Sequence, residues 1–121
     1  MVDFQCKPHY SYEDFLEVMR LLRAPGGCPW DREQTHGSIR RNFLEETYEV
    51  LDALDRDDPR DMCEELGDVM MQVAFHAQIE AERGNFTMDD VVDGVTKKLV
   101  YRHPHVFGTV EAETSEQVLV N

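Results

Sequence analysis

Few of the features that announce a common chemistry are present in this chain. Its 121 residues carry 12 Lys and Arg against 25 Asp and Glu, a net charge of −13. That leaves no basic footprint with which to neutralise nucleic-acid phosphates, so no nucleic-acid partner is expected. Any polyanionic ligand has to be recruited through metal. The three cysteines, Cys6, Cys28 and Cys63, are odd in number and lack C-x-x-C spacing, which sets aside a disulfide framework and a zinc knuckle and fits a reducing cytoplasm. Long apolar runs are missing too. The most apolar stretch, residues 69–75, is interrupted by Gln72 and falls far short of the roughly 20 residues a bilayer-spanning helix needs. No apolar signal segment opens the chain, and the expectation is a soluble, cytoplasmic protein with no membrane partner. Gly-x-x-x-x-Gly-Lys, Gly-x-Ser-x-Gly and His-Glu-x-x-His are absent, which disfavours P-loop, serine-hydrolase and zinc-protease chemistry. No stretch alternates strictly between apolar and polar residues, so strands are not expected.

What is present is helical periodicity. Ser11 with Asp14 reads as a capping-box start, followed by Phe15, Val18, Met19 and Leu22 at helical spacing, and this first helix ends near Arg23. Residues 24–31 are dense in Pro and Gly and read as an ordered loop carrying the only tryptophan, Trp30. A second helix begins around Thr35 or Ser38, with Ile39, Phe43, Val50 and Leu54 on one side, Glu46 beside that stripe and Glu49 one step further out. Asp57-Asp58-Pro59 makes a turn. A long third helix then runs to about Arg83, stopped by Gly84. It is apolar along Met62, Leu66, Val69, Val73 and Ala77 and again along Met71, Phe75 and Ile79. Two apolar sides call for two neighbours, and the second can come from another subunit. A fourth helix starts at Thr87 and stops at Pro104, and Thr114-Ser115-Glu116 opens a further one. The reading is an all-α bundle of four to five helices, one domain over residues 1–121, with a tail at 1–11 and the start of a truncated helix at 114–121.

Two acidic clusters flank the turn, Glu45-Glu46-x-x-Glu49 and Glu64-Glu65-x-x-Asp68. Counted from Asp57, Glu49 and Glu65 each lie eight residues away, and Glu46 and Asp68 eleven. Equal offsets face each other in an antiparallel pair, and residues three apart share a helix face. The spacing therefore predicts four carboxylates at one level, a set that selects hard divalent cations such as Mg²⁺, with Mn²⁺ as a substitute. Without a cation they would repel and take up protons. Such a site suits metal-assisted hydrolysis of a polyphosphate, with Glu45, Glu46 or Glu49 accepting the proton of the attacking water. A di-iron site would need two Glu-x-x-His motifs, and the chain has one, Glu33 to His36. Two positions stay open: Lys97, Lys98 and Arg102 either complement a helix dipole or steady outer phosphates, and Trp30 either pins its loop or stacks on a base.

Residues 27–31 (Gly-Cys-Pro-Trp-Asp), 44–53 (Leu-Glu-Glu-Thr-Tyr-Glu-Val-Leu-Asp-Ala), 65–68 (Glu-Leu-Gly-Asp) and 102–107 (Arg-His-Pro-His-Val-Phe) together resemble the blocks of the MazG family of nucleoside triphosphate pyrophosphohydrolases, over roughly residues 12–120. The resemblance is to a single domain, closest to the first copy of tandem-domain members. It implies an all-α fold whose core is completed by dimerisation, as a homodimer or dimer of dimers. The implied reaction hydrolyses a (d)NTP to the monophosphate and pyrophosphate, in a house-cleaning role. By position it implies Glu46, Glu49, Glu65 and Asp68 as Mg²⁺ ligands, Glu45 as the motif's first acid, and Lys98 and Arg102 as phosphate contacts. The alternative is a nucleotide-binding or dimerisation module that turns over slowly.

Overall fold

The computed structural model describes residues 2–108 and 113–120, apart from the side chains at 118 and 120. Seven helices follow one another: α1 (Tyr12–Arg23), α2 (Pro29–Glu33), α3 (His36–Asp55), α4 (Pro59–Glu82), α5 (Met88–Arg102), α6 (Pro104–Phe107) and α7 (Ser115–Val120). There is no strand among the described residues. The fold is all-α, as the periodicity indicates. The expected tail helix is present as α7, while Asn121 lies outside the described residues.

Local chemistry sets most helix ends. The Ser11 hydroxyl accepts from the Asp14 N–H while Asp14 accepts from the Ser11 N–H, and Thr35 and Ser38 cap α3 in the same reciprocal way. Each box satisfies two of the four amides that a helix start leaves unpaired. Between α3 and α4 the chain reverses at Asp57, which adopts a left-handed φ of 50°, a conformation that Asp tolerates better than most residues. Asp58 then caps α4 through the amides of Arg60 and Asp61, with Pro59 at the first helical position. Gly84 ends α4 at φ 77°, where a side chain would be strained.

One difference from the sequence reading concerns residues 29–33, which form α2 instead of open loop. Pro29 is a helix breaker only in a helix interior; at the first position its missing N–H is not needed. The approach to α2 is tight. The Gly27 N–H donates to the Ala24 carbonyl and the Cys28 N–H to the Leu22 carbonyl, and a Cβ at Gly27 would lie 2.1 Å from the Leu21 oxygen. Glycine is required there.

The chain divides into two compact units, Met1–Met88 and Asp89–Asn121. In the first, α3 packs along α4, and α1 packs on both α2 and α4. Its core is Met19 of α1, Ile39 of α3 and Ala74, Phe75 and Ile79 of α4, with Phe15 and Leu16 against it. Only part of the expected apolar stripes is inside. Leu54 and Leu66 are half exposed and Met71 is 40% exposed, because the core gathers at the α1 end of the hairpin, where a third helix is available to cover it. In the second unit, Val95, Leu99 and Val100 of α5 are exposed.

Arg23 ties three elements together. Its Nε and Nη2 donate to the Glu82 carboxylate at 2.9 and 3.0 Å. Nη1 donates to the carbonyls of Asp31 and Gln34 at 2.6 and 3.0 Å, and the guanidinium lies 5.3 Å from the Phe75 ring centre. Its side chain is 8% exposed, whereas that of Arg41, paired with Glu45, is 87% exposed. Arg23→Ala is expected to cost about 2–3 kcal/mol, since it strips charged hydrogen bonds from buried carbonyls. Arg41→Ala should stay within about 0.5 kcal/mol. Urea denaturation of the two variants measures the contrast.

Candidate metal centre

The turn at Asp57 fixes the register of α3 against α4, and that register sets the acids opposite one another. Oxygens of Glu46, Glu65 and Asp68, all half-buried, lie within 4.8 Å of one another. Burial raises the Glu46 carboxyl above the ordinary glutamate range, and the charges of Asp68, Glu49 and Glu45 raise it further. Burial likewise raises Glu65, followed by Asp68, Glu49, Glu64 and Glu46. Across the hairpin, Glu46 therefore responds first to Asp68, and Glu65 responds to Glu49 before Glu46. These are the equal-offset pairs of the sequence. Like charges held this close favour proton uptake unless a cation takes the proton's place, and an all-oxygen carboxylate set matches a hard divalent ion.

Glu49 lies outside this trio. It is exposed on α3, one turn beyond Glu46, near enough to act on both Glu46 and Glu65 through its charge. Glu45, next to Glu46 in sequence, points to a different face, since it pairs with Arg41 at 3.1 Å with its side chain 60% exposed. Trp30 lies on α2 and is 57% exposed. Its backbone carbonyl accepts from Gln34 Nε2 at 2.9 Å. Lys98 and Arg102 belong to the second unit, one turn apart on the exposed surface of α5. Lys97 pairs with Asp93 at 2.8 Å, and His103 Nδ1 meets the Leu99 carbonyl at 2.6 Å at the end of α5.

A second polar group on the α3–α4 seam is not visible in any sequence motif. His36 Nδ1 and His76 Nδ1 are 2.7 Å apart, with the rings stacked at 5.0 Å between centres. His36 Nε2 meets the Glu80 carboxylate at 2.5 Å. Glu80 also accepts from Asn85 at 2.8 Å and Arg83 at 3.0 Å. The Asn85 and His36 hydrogen bonds hold the Glu80 carboxyl below its ordinary value, helped by Arg83. Burial lowers the His76 imidazole, and the charge of His36 adds to it. His36 and His76 are 40 residues apart, so only the hairpin register brings them together. That register is the same one that aligns the acids.

Comparison with known proteins gives the family of the α3–α4 hairpin. The MazG nucleotide pyrophosphohydrolase domain matches residues 34–107, which include all of α3 and α4. A nucleoside triphosphate pyrophosphohydrolase/pyrophosphatase MazG of Thermotoga maritima is 52% identical over 97 residues, covering 80% of this chain and 38% of the relative. A nucleoside triphosphate pyrophosphohydrolase of Escherichia coli K12 is 50% identical over 105 residues, covering 86% and 40%. An uncharacterized protein of Bacillus subtilis, YabN, is 48% identical over 113 residues, covering 93% and 23%. The chain thus spans less than half the length of each of these relatives. With a family match over more than half of its residues and the acidic trio of α3 and α4 in register, the chain belongs to the MazG nucleotide pyrophosphohydrolase domain family.

Proposed function

We propose that the chain is a Mg²⁺-dependent nucleoside triphosphate pyrophosphohydrolase domain, converting a (d)NTP to the monophosphate and pyrophosphate, and that it works in the cytoplasm as a homodimer or dimer of dimers. The observation that carries the reading is the trio Glu46, Glu65 and Asp68, held within 4.8 Å at the cost of raised carboxyl pKa values. A fold keeps such repulsion where a cation relieves it. Glu49, within electrostatic reach, is assigned as the fourth ligand. When bound, the ion would neutralise phosphate oxygens and favour a nucleophilic water at neutral pH. Glu49, exposed one turn beyond Glu46, is our candidate to take that water's proton, since Glu45 is turned to Arg41. The resemblance assigns Lys98 and Arg102 to phosphate contact, and Trp30, exposed on α2, offers a ring face for stacking.

The relatives of Thermotoga and Escherichia bear names that state this activity, and no helix among the described residues is long and apolar enough to cross a membrane. Tyr48 and Leu51 of α3 and Leu66 and Met70 of α4, all 40–59% exposed, supply the apolar surface for a second subunit. A slower nucleotide-binding module is the second reading. It is favoured by the position of Glu49 outside the trio.

Pyrophosphate release from a panel of nucleoside triphosphates with Mg²⁺ is expected for the wild type and lost by at least about 100-fold in Asp68→Asn, the scale of removing one charge-stabilising group. Nucleotide binding without release would leave the module reading standing. Melting curves check the metal independently. A carboxyl raised in the folded state favours folding below its unfolded pKa and opposes it once the pH climbs through the folded value. Glu46 and Glu65 are both raised, so at pH 7 without metal they destabilise. Asp68→Asn should raise the metal-free melting temperature, and Mg²⁺ should raise that of the wild type but not of the variant. Light scattering should give a dimer or tetramer for the wild type and a smaller species for Leu51→Glu, whose new charge faces the proposed interface.

A further inference from the structure

Beside the α3–α4 seam lies a cleft of about 630 Å³ lined by Arg40, Arg41, Phe43, Leu44, Thr47 and His76, within the size range of small-molecule sites. Its place along the hairpin is set by helix geometry. Phe43 lies one turn before Glu46 and Thr47 directly follows it, while His76 lies eight residues past Asp68, about 12 Å further along α4. A triphosphate held at the acids with its nucleoside directed away from the turn reaches this cleft. The lining suits a base: the Phe43 ring offers a π face and Leu44 an apolar wall, with the His76 ring 5.8 Å from Phe43. Arg40 brings positive charge to a chain of net charge −13, while Arg41 is paired with Glu45.

His76 is not a free imidazole in this cleft. Glu80 only accepts hydrogen bonds when ionised, so its contact with His36 places a proton on His36 Nε2. The Nδ1–Nδ1 contact between the histidines holds one proton. In the neutral pair it sits on His76 Nδ1 and points to His36, which leaves His76 Nε2 as a bare acceptor. When the pair gains a proton, the hydrogen bond between the rings reverses. The shared proton passes to His36 Nδ1, the incoming one stays on His76 Nε2, and the positive charge rests on His36 beside Glu80. His76 Nε2 is then a donor. Arg83 and Asn85, both bonded to Glu80, anchor the far end of this relay, and Arg40 and Arg41 are the charged groups on the cleft side.

We propose that this cleft reads the nucleobase and that His76 Nε2 is its specificity-determining atom. It accepts from amino-bearing bases when the histidine pair is neutral and donates to oxo-bearing bases when the pair is protonated. The proposal rests on the pyrophosphohydrolase reading and adds to it a substrate preference that depends on pH.

The test compares kcat/KM for dATP and dITP, purines that carry an amino or an oxo group at the same ring position, from pH 8 to pH 5.5. Taking the ratio cancels the titration of Glu46 and Glu65, because the phosphates are the same. For the wild type the dATP:dITP ratio should fall about fivefold with pH, the worth of one hydrogen bond, and the change should lie mostly in KM. In His76→Gln, which donates and accepts without titrating, the ratio should be flat. Should that variant fail to fold, His36→Gln disconnects Glu80 from His76 and should move the midpoint of the ratio. A ratio independent of pH in the wild type, or the wild-type pH dependence kept in the variants, overturns the proposal. If the wild type releases pyrophosphate from neither nucleotide, the pyrophosphohydrolase reading is what fails. The cleft is then judged by NMR, where added dAMP should shift the His76 ring resonances and the absence of a shift overturns the site.

Discussion

The reversal of the chain at Asp57, Asp58 and Pro59 is the constraint on which the rest depends. Three local devices fix it: a left-handed φ at Asp57, a side-chain cap from Asp58 and a proline at the first position of α4. Together they leave α3 and α4 one register, because a shift of either helix by a residue would rotate its acids about 100° away from the seam. Electrostatics alone would not choose this arrangement. The Glu46, Glu65 and Asp68 oxygens repel at 4.8 Å or less, and the hairpin holds them together against that repulsion with packing elsewhere, chiefly Ile39 against Phe75 and Ile79. Core and site therefore occupy different stretches of the same two helices. The α1 end supplies the stability and the turn end carries the strain.

This division explains which parts of the protein were legible in the sequence. The capping box at Ser11, the helix start around Thr35 or Ser38, the Asp58-Pro59 start and the Gly84 stop are local signals, and they locate α1, α3 and α4 to within a residue or two. Of the four carboxylates that equal offsets about the turn set at one level, Glu46, Glu65 and Asp68 come together while Glu49 stays outside, since a count of residues does not fix where a side chain ends. Less legible was burial. Leu54 and Leu66 read as core by periodicity yet are half exposed, because periodicity reports a face and not whether anything covers it. The short α2 was hidden by Pro29, whose meaning changes with its position in a helix. The His36–His76–Glu80 relay was out of reach, as it joins residues 40 and 44 apart through a register no motif encodes.

Arg23 links the core to the segment that carries Trp30. A guanidinium is flat and offers five donors, and here they satisfy the Glu82 carboxylate and two backbone carbonyls at once while its face lies on Phe75. Lysine could not reproduce this fork. The segment carrying Trp30 is thus held at its far end by Arg23 and at its start by the Gly27 close approach. Trp30 gains a fixed position while remaining 57% exposed. An aromatic serving only to anchor its loop would be inside, so its exposure on a rigid support favours a contact with something outside the chain.

The two polar groups of the α3–α4 seam differ in how they handle charge. At the turn end, acids of one sign crowd together and protonation of Glu46 and Glu65 is favoured, which suits a cation as the missing partner. At the far end, Glu80 is matched by His36, Arg83 and Asn85, and its ionised form is favoured. The far group is complete within the chain and so can orient a neighbour, whereas the near group is incomplete without an ion. A nucleoside triphosphate has the same polarity, with its charge at one end and a neutral hydrogen-bonding ring at the other. The hairpin offers an ion-dependent anchor to the first and an oriented imidazole to the second, about 12 Å further along α4. This match in direction is the physical reason for assigning both ends of the seam to one ligand.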